Sequence, residues 1–201
     1  MSAGGPPAPQ QPEGAAGPPG ADSRPIVLVG MMGSGKTTVG RRLAARLGRR
    51  FVDADKELES RCGVPISTIF ELEGEDGFRR REAAVIDALT REPGIVLATG
   101  GGAVLLPENR ERLHTRGLVV FLRAGAAELW QRLKRDRVRP LLRTENPRQR
   151  IADLLAAREP LYREVAHLTV TSGRAPIDAL VADIIGRLPE AMLPDRAEDS
   201  P

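Results

Sequence analysis

The chain has 201 residues, 41% hydrophobic and 28% charged, with 30 basic against 27 acidic side chains and a net charge of +3. That balance suits one ordinary soluble domain with tails; it argues against a nucleic-acid partner, because the basic residues are interspersed with acids and aromatics make up only 3%, too few for base-stacking platforms. The single cysteine, Cys62, excludes an internal disulfide and suits a reducing cytoplasm, and no apolar run approaches the roughly 20 residues that a membrane span needs.

Residues 1–24 are mostly Pro, Gly, Ala and Gln. They hold too little apolar surface to offset the entropy of ordering, so they read as a disordered Pro/Gly/Ala-rich tail. They lack the basic start and apolar core of a secretory signal. Residues 189–201 read as a second, flexible tail, which leaves residues 25–188 as the expected folded unit. Within it, Pro25–Val29 (PIVLV) is a continuous apolar run ending at Gly30, the pattern of a strand buried on both faces. Val39, Leu43 and Leu47 then recur every four residues as a helix stripe that Gly48 ends. RFVDAD reads as a second strand, Asp55–Arg61 as a helix, and PISTIFELEG and FRRREAAVIDALTRE as helical pieces. GIVLAT is a third strand, running into three glycines, Gly100, Gly101 and Gly102. Pro107–Thr115 is a helix with Pro in its first turn, LVVFLR a strand, and Glu128–Lys134 a helix. Asp136–Pro147 carries charge and two prolines without a steady period and reads as a loop. Ile151–Ala157 is helical, HLTVT a strand, and Ile177–Leu188 a clean amphipathic helix. Strands alternating with helices predict an α/β doubly wound parallel sheet with helices on both faces. Ligands of such sheets bind beyond the carboxyl ends of the strands, where Gly30, Asp53, Asp55, Gly100 and the segment after Arg123 all fall.

Gly30–Thr37 (GMMGSGKT) fills every fixed position of G-x-x-x-x-G-K-[ST], between an apolar strand and an amphipathic helix. Gly33, Ser34 and Gly35 supply a backbone cradle for phosphate, and the helix start, with Thr38 in it, adds its positive dipole end. Lys36 reaches the outer phosphates, and the Thr37 hydroxyl can bind Mg²⁺. Lys36 also stands out because lysine occurs elsewhere only at 56 and 134 in a chain that otherwise uses arginine. No [NT]-K-x-D segment marks a guanine reader, and no strand ends in the Asp-Glu of a motor ATPase. A small-molecule kinase is the leading reading, and a nucleotide-binding regulator without turnover is the alternative.

Asp53 and Asp55 lie at i and i+2 where a strand ends, so extended chain would aim both to one side. One can serve a nucleotide-bound Mg²⁺ while the other accepts the proton of an acceptor hydroxyl; the competing reading is an aspartate that merely caps the next helix. Among the arginines, Arg79, Arg132 and Arg158 compete with a solvated-face reading. Arg139 differs, since Pro140, Leu141 and Leu142 follow it inside a proline-broken loop, as in a mobile lid that excludes water and adds positive charge.

Taken together, GMMGSGKTTVGRRLA, FVDAD, IFELEGEDGFRRRE, LATGGGAV, RPLL and REPLYREVA occur in the order found in the shikimate kinases, and the chain resembles that family across nearly the whole expected folded unit. The resemblance implies a P-loop kinase fold with a five-stranded parallel sheet in order 2-3-1-4-5. It also implies transfer of the γ-phosphoryl of ATP to the 3-hydroxyl of shikimate, on the route to chorismate and the aromatic amino acids. By motif, Lys36 resembles the lysine on the β/γ-phosphates, Thr37 a Mg²⁺ ligand and Asp53 the aspartate that holds Mg²⁺ through water. Asp55 resembles the residue that binds the shikimate hydroxyls and serves as base. Arg79 and Arg158 resemble the pair that grips the shikimate carboxylate. Gly101, between Gly100 and Gly102, resembles the glycine whose backbone meets the ring, and Arg139 the lid arginine. Arg132, Arg174 and Pro176 resemble the adenine-flanking positions. A cytoplasmic monomer with a small-molecule substrate and no nucleic-acid or membrane partner is expected. A gluconate kinase of the same fold remains the nearest alternative activity.

Overall fold

Every residue of Ile26–Val29 (β1) is fully buried, as a continuous apolar run in the middle of a parallel sheet must be. The computed structural model describes residues 22–134, 146–173 and 175–194. After β1 come α1 (Lys36–Leu47), β2 (Arg50–Asp53), α2 (Ala54–Cys62), α3 (Ile66–Leu89), β3 (Ile95–Ala98), α4 (Pro107–Arg116) and β4 (Leu118–Arg123). Then follow α5 (Ala126–Leu133), α6 (Pro147–Val165), β5 (Leu168–Thr171) and α7 (Ile177–Ile185), with short 3-10 turns at Ala103–Leu105 and Glu190–Met192. The strands form one five-stranded sheet in the order β2-β3-β1-β4-β5. Every pairing is parallel, with Leu28 of β1 opposite Ala98 of β3 and Val120 of β4.

Alternation along β1 divides the core in two. Val27 and Val29 point to a layer with α3, α4, α5 and α6, through Ile86, Leu113, Leu129 and Ile151. Ile26 and Leu28 point to the other layer, filled by Leu43 and Leu47 of α1 and by Val181 and Ile184 of α7.

Four details depart from the sequence reading. The two helical pieces before β3 are one element, α3, bent where Gly74 adopts φ 67°, ψ −170°; only glycine takes this conformation without strain. The helix expected over 151–157 runs from Pro147 to Val165, with Asn146 accepting from the Gln149 amide at 3.1 Å as its cap and Pro160 inside it. An interior proline removes one helix hydrogen bond, which is why the pattern looked shorter. Asp55 is not in extended chain with Asp53: β2 stops at Asp53, which caps α2, and Asp55 lies in the first turn of that helix. Finally, the fold exceeds the expected 25–188 at both ends. The Asp22 amide donates to Ala191 O at 2.7 Å and the Gly94 amide to Ser23 O at 2.6 Å. Arg49 donates to the carbonyls of Asp22, Arg24 and Met192. Met192, placed by sequence in the flexible end, is buried in the second core layer. These backbone groups have their hydrogen bonds inside the protein, so the segments are ordered with it. Most of the expected lid, including Arg139, and Arg174 lie outside the described residues.

Candidate active site

The parallel sheet sends β1, β2 and β3 to the same rim, so the segments that follow them converge there. After β1 the chain turns through Gly30–Gly35 into α1. Gly30 has φ 142°, and a Cβ there would lie 2.7 Å from Leu122 O; Gly35 caps α1 at φ 97°. No side chain caps α1 and its first turn holds no acid. Its N-terminal amides and dipole are therefore arranged for an anion. Lys36 lies across this cradle, nine-tenths buried, with Nζ donating to Gly30 O at 2.8 Å and Met31 O at 3.0 Å.

A cavity of about 490 Å³ opens over the cradle. It is lined by Gly33 to Thr38 and by Asp53, Asp55, Thr99 and Gly101, with Arg132, Ser172, Gly173 and Ala175 at its far side. Arg132 ties that side together, donating to Gly33 O at 3.0 Å and to Ser172 O and Gly173 O, each at 2.8 Å. It thus joins the phosphate cradle to the loop after β5. Pro176 caps α7 beside this loop.

Thr37 Oγ1 donates to Asp53 Oδ2 at 2.9 Å. This places a hydroxyl and a carboxylate, both hard oxygen donors, side by side at the phosphate end. Among the described residues no group of three or more His, Cys, Asp or Glu could hold a metal by itself. Two oxygen donors beside a phosphate cradle are what Mg²⁺ takes when water and phosphate complete its shell, so the residues present fit that ion.

The second half of the site is built around the triple glycine. A Cβ on Gly100 would fall 2.8 Å from Asp55 Oδ1 and 2.9 Å from Glu82 Oε1. On Gly101 it would meet the Met32 amide nitrogen at 3.3 Å, and on Gly102 both terminal nitrogens of Arg79 at 2.6 Å. Each glycine thus makes room for a different neighbour, and three separate segments bring Asp55, Arg79 and Arg158 to one place. Arg158 is buried on α6 and donates Nη1 to Gly101 O at 3.3 Å. Arg79 lies over the Phe78 ring at 5.1 Å and donates to Glu82 Oε2 at 2.7 Å.

Glu82 and Tyr162 were not singled out from the sequence. Glu82 is 3% exposed. Burial pushes its carboxyl above the ordinary glutamate range; the neighbouring Arg79 pulls it back, and Asp55 adds to the rise. For Arg79 burial works the other way, but the two carboxylates Glu82 and Glu75 outweigh it and strengthen the hold on its proton. The pair is an ion pair with Arg79 firmly charged. Tyr162, fully buried, donates its hydroxyl to Gly101 O at 2.5 Å. Burial pushes its phenol up to about 12, so it stays a donor. Each had a signal in the sequence: Glu82 falls three residues after Arg79, and Tyr162, the chain's one tyrosine, four after Arg158, so each shares a helix face with its arginine.

The family model described as shikimate kinase matches residues 32–189. A shikimate kinase of Bordetella pertussis is 57% identical over 164 residues, covering 82% of this chain and 78% of the relative. The solved structure of a shikimate kinase from Acinetobacter baumannii in complex with shikimate superposes with a TM-score of 0.78 at 51% identity, covering 81% of this chain and 90% of that one. A gluconokinase from Sinorhizobium meliloti, at a TM-score of 0.57 and 20% identity over 83% of this chain and 91% of its own, shares the fold alone.

Proposed function

The chain belongs to the shikimate kinase family, and from that premise we infer that it transfers the γ-phosphoryl of ATP to the 3-hydroxyl of shikimate. The products are ADP and shikimate 3-phosphate, on the route to chorismate and the aromatic amino acids. The observation that carries this reading is the junction of an uncapped helix start with a glycine wall ringed by Asp55, Arg79 and Arg158. One half suits phosphates, and the other suits a small hydroxylated acid.

The protein contributes position and charge. In our reading Arg79 and Arg158 hold the shikimate carboxylate, and the backbone of Gly100–Gly102 passes along the ring. Asp55 accepts the proton of the 3-hydroxyl as its oxygen bonds to the γ-phosphorus and the bond from that phosphorus to the bridging oxygen of ADP breaks. Lys36 stabilises the negative charge that collects on the phosphates, and Arg139 adds to it from the expected lid. Gly33–Thr38 cradle the nucleotide phosphates, while Arg132, Arg174 and Pro176 flank the adenine. Thr37 directly and Asp53 through water would hold Mg²⁺, which when bound screens charge between the phosphates.

The remaining expectations stand as proposals. No helix among the described residues is long and apolar enough to cross a membrane. We place the enzyme in the cytoplasm as a monomer, with no nucleic-acid or membrane partner and a folded unit of residues 22–194. The test is ADP release with shikimate, with gluconate and with no acceptor, each with and without Mg²⁺. Turnover that needs both shikimate and Mg²⁺ is the expected result. Gluconate-dependent turnover alone would overturn the acceptor, and equal rates without a divalent ion would remove the metal assignment.

A further inference from the structure

Tyr162 lies one helical turn beyond Arg158 on α6, and both side chains reach the same carbonyl, that of Gly101. The tyrosine ring is fully buried and stacks on Phe121 of β4 with ring centroids 5.2 Å apart. Its hydroxyl passes 3.7 Å from Met31 Sδ in the phosphate loop. The phenol therefore touches β4, the phosphate loop and the glycine wall while standing on the helix that carries Arg158.

The two bonds to Gly101 O are unequal. The phenol's is short at 2.5 Å and the guanidinium's is long at 3.3 Å. A carbonyl oxygen has two lone pairs. The phenol supplies the shorter bond, and Arg158, which also meets the phenol oxygen itself, takes its orientation from the carbonyl and the tyrosine together. Without the hydroxyl, Arg158 would be the remaining side-chain donor to a half-buried carbonyl. The guanidinium would be drawn to the loop and away from the acceptor.

We propose that Tyr162 is a positioning residue for acceptor recognition: through the Gly101 carbonyl it fixes both the glycine wall and the aim of the Arg158 guanidinium at the acceptor's carboxylate. This inference rests on the shikimate reading of the site, and the experiment separates the two.

Tyr162→Phe keeps the ring and its stack on Phe121 and removes only the donor. The expected result is a rise in the shikimate KM of about 5- to 10-fold, the size of one lost hydrogen bond, with the ATP KM and kcat within about 2-fold. Calorimetric titration of shikimate into the variant should show the same weakening. The penalty should shrink below about 2-fold for a shikimate analogue lacking the carboxylate, and also in an Arg158→Lys background, because coupled residues are not additive. Phe121→Leu, which loosens the tyrosine stack while keeping the hydroxyl, should lower Tm with little change in shikimate KM. A Tyr162→Phe enzyme with lower Tm but unchanged shikimate KM would overturn the proposal and leave the tyrosine a packing residue. A penalty equally large without the acceptor carboxylate, or fully multiplicative with Arg158→Lys, would also overturn it. A wild-type enzyme that releases no ADP with shikimate would sink the functional reading itself, before any variant is compared.

Discussion

Two stretches of this chain look alike in sequence and work by different physics. In Gly30–Gly35 the glycines adopt φ of 142°, 78° and 97°, backbone that other residues reach only at a cost. In Gly100–Gly102 no glycine has positive φ; any residue could adopt the backbone, but a Cβ would push against Asp55, Glu82, Met32 N or Arg79. The first stretch needs glycine for what the main chain does, and the second for what its neighbours need. Substitution in the first should damage the cradle, whereas substitution in the second should displace functional side chains while the fold survives.

The largest effect should come from the one residue that meets the second stretch and also handles a proton. Asp55→Asn is expected to lower kcat by about 10²- to 10⁴-fold while ATP binding, measured by calorimetry, stays within a few-fold. If this variant turned over near the wild-type rate, Asp55 would have no part in the chemistry. Next comes the direct contrast. Gly102→Ala pushes aside the flexible end of Arg79, so it should raise the shikimate KM by about 10-fold or more with Tm almost unchanged. Gly35→Ala, strained at φ 97° and with only Val39 within 4 Å, should cost about 1–2 kcal/mol of stability and raise the ATP KM. If each variant disturbed the other substrate instead, the division between the stretches would be wrong. Gly101→Val should abolish normal shikimate turnover for a different reason: its side chain would press on the Met32 amide nitrogen of the phosphate loop, with Arg158 just beyond it. Arg158→Lys should raise the shikimate KM by about 10-fold through loss of the planar fork; a rise confined to the ATP KM would place it in the other half.

The fold was readable because its signals are local. The apolar run of β1, the four-residue stripe of α1 and the glycine stops each act over a few residues, and their alternation implies the parallel sheet. The order 2-3-1-4-5 came from the family resemblance, since periodicity does not say which strands pair. The arrangement of the second stretch was less legible. Glu82 and Tyr162 became visible only when α3 and α6 were laid beside Gly100–Gly102, because a polar residue on a helix has a solvated face as its ordinary explanation. For Asp53 and Asp55 the FVDAD run leaves two readings open, a shared extended chain or an aspartate that caps the next helix; the second holds, and Asp53 also accepts from Thr37. The ordered ends are hidden in the sequence because composition reports average polarity. It gave no sign that Arg49 would collect the carbonyls of Asp22, Arg24 and Met192.

Two smaller effects lie away from both stretches and serve as controls. Beginning the chain at Pro25 would strip Arg49, partly buried in its site, of two carbonyl partners. It should lower Tm by several degrees without changing either KM, while the loss of substrate affinity instead would tie this end to the site. Asp87, facing Arg91, Arg112 and Arg116, joins α3 to α4. Its hydrogen bonds with Arg116 and Arg91 hold its carboxyl down at about 2, against an ordinary value of 3.8. The folded chain therefore binds fewer protons there than the unfolded one. The stabilisation is complete above the ordinary value and drains away as pH falls toward 2. Acid unfolding of Asp87→Asn, followed by circular dichroism, should be shallower than wild type across that window; superimposable curves would show that solvent screens the cluster completely.

The hydrogen bond from the Asp22 amide to Ala191 O closes the molecule into a near-ring. It does so on the rim where the strands begin, the far side from the substrates. The order in which the elements are strung is therefore a convention of the gene more than a need of the architecture. A permuted chain that joins residue 194 to residue 22 by a short linker, and opens instead at the exposed turn around Gly63, should assemble the same sheet and the same pocket. For engineering, either end is a handle that leaves the substrate entrance unobstructed.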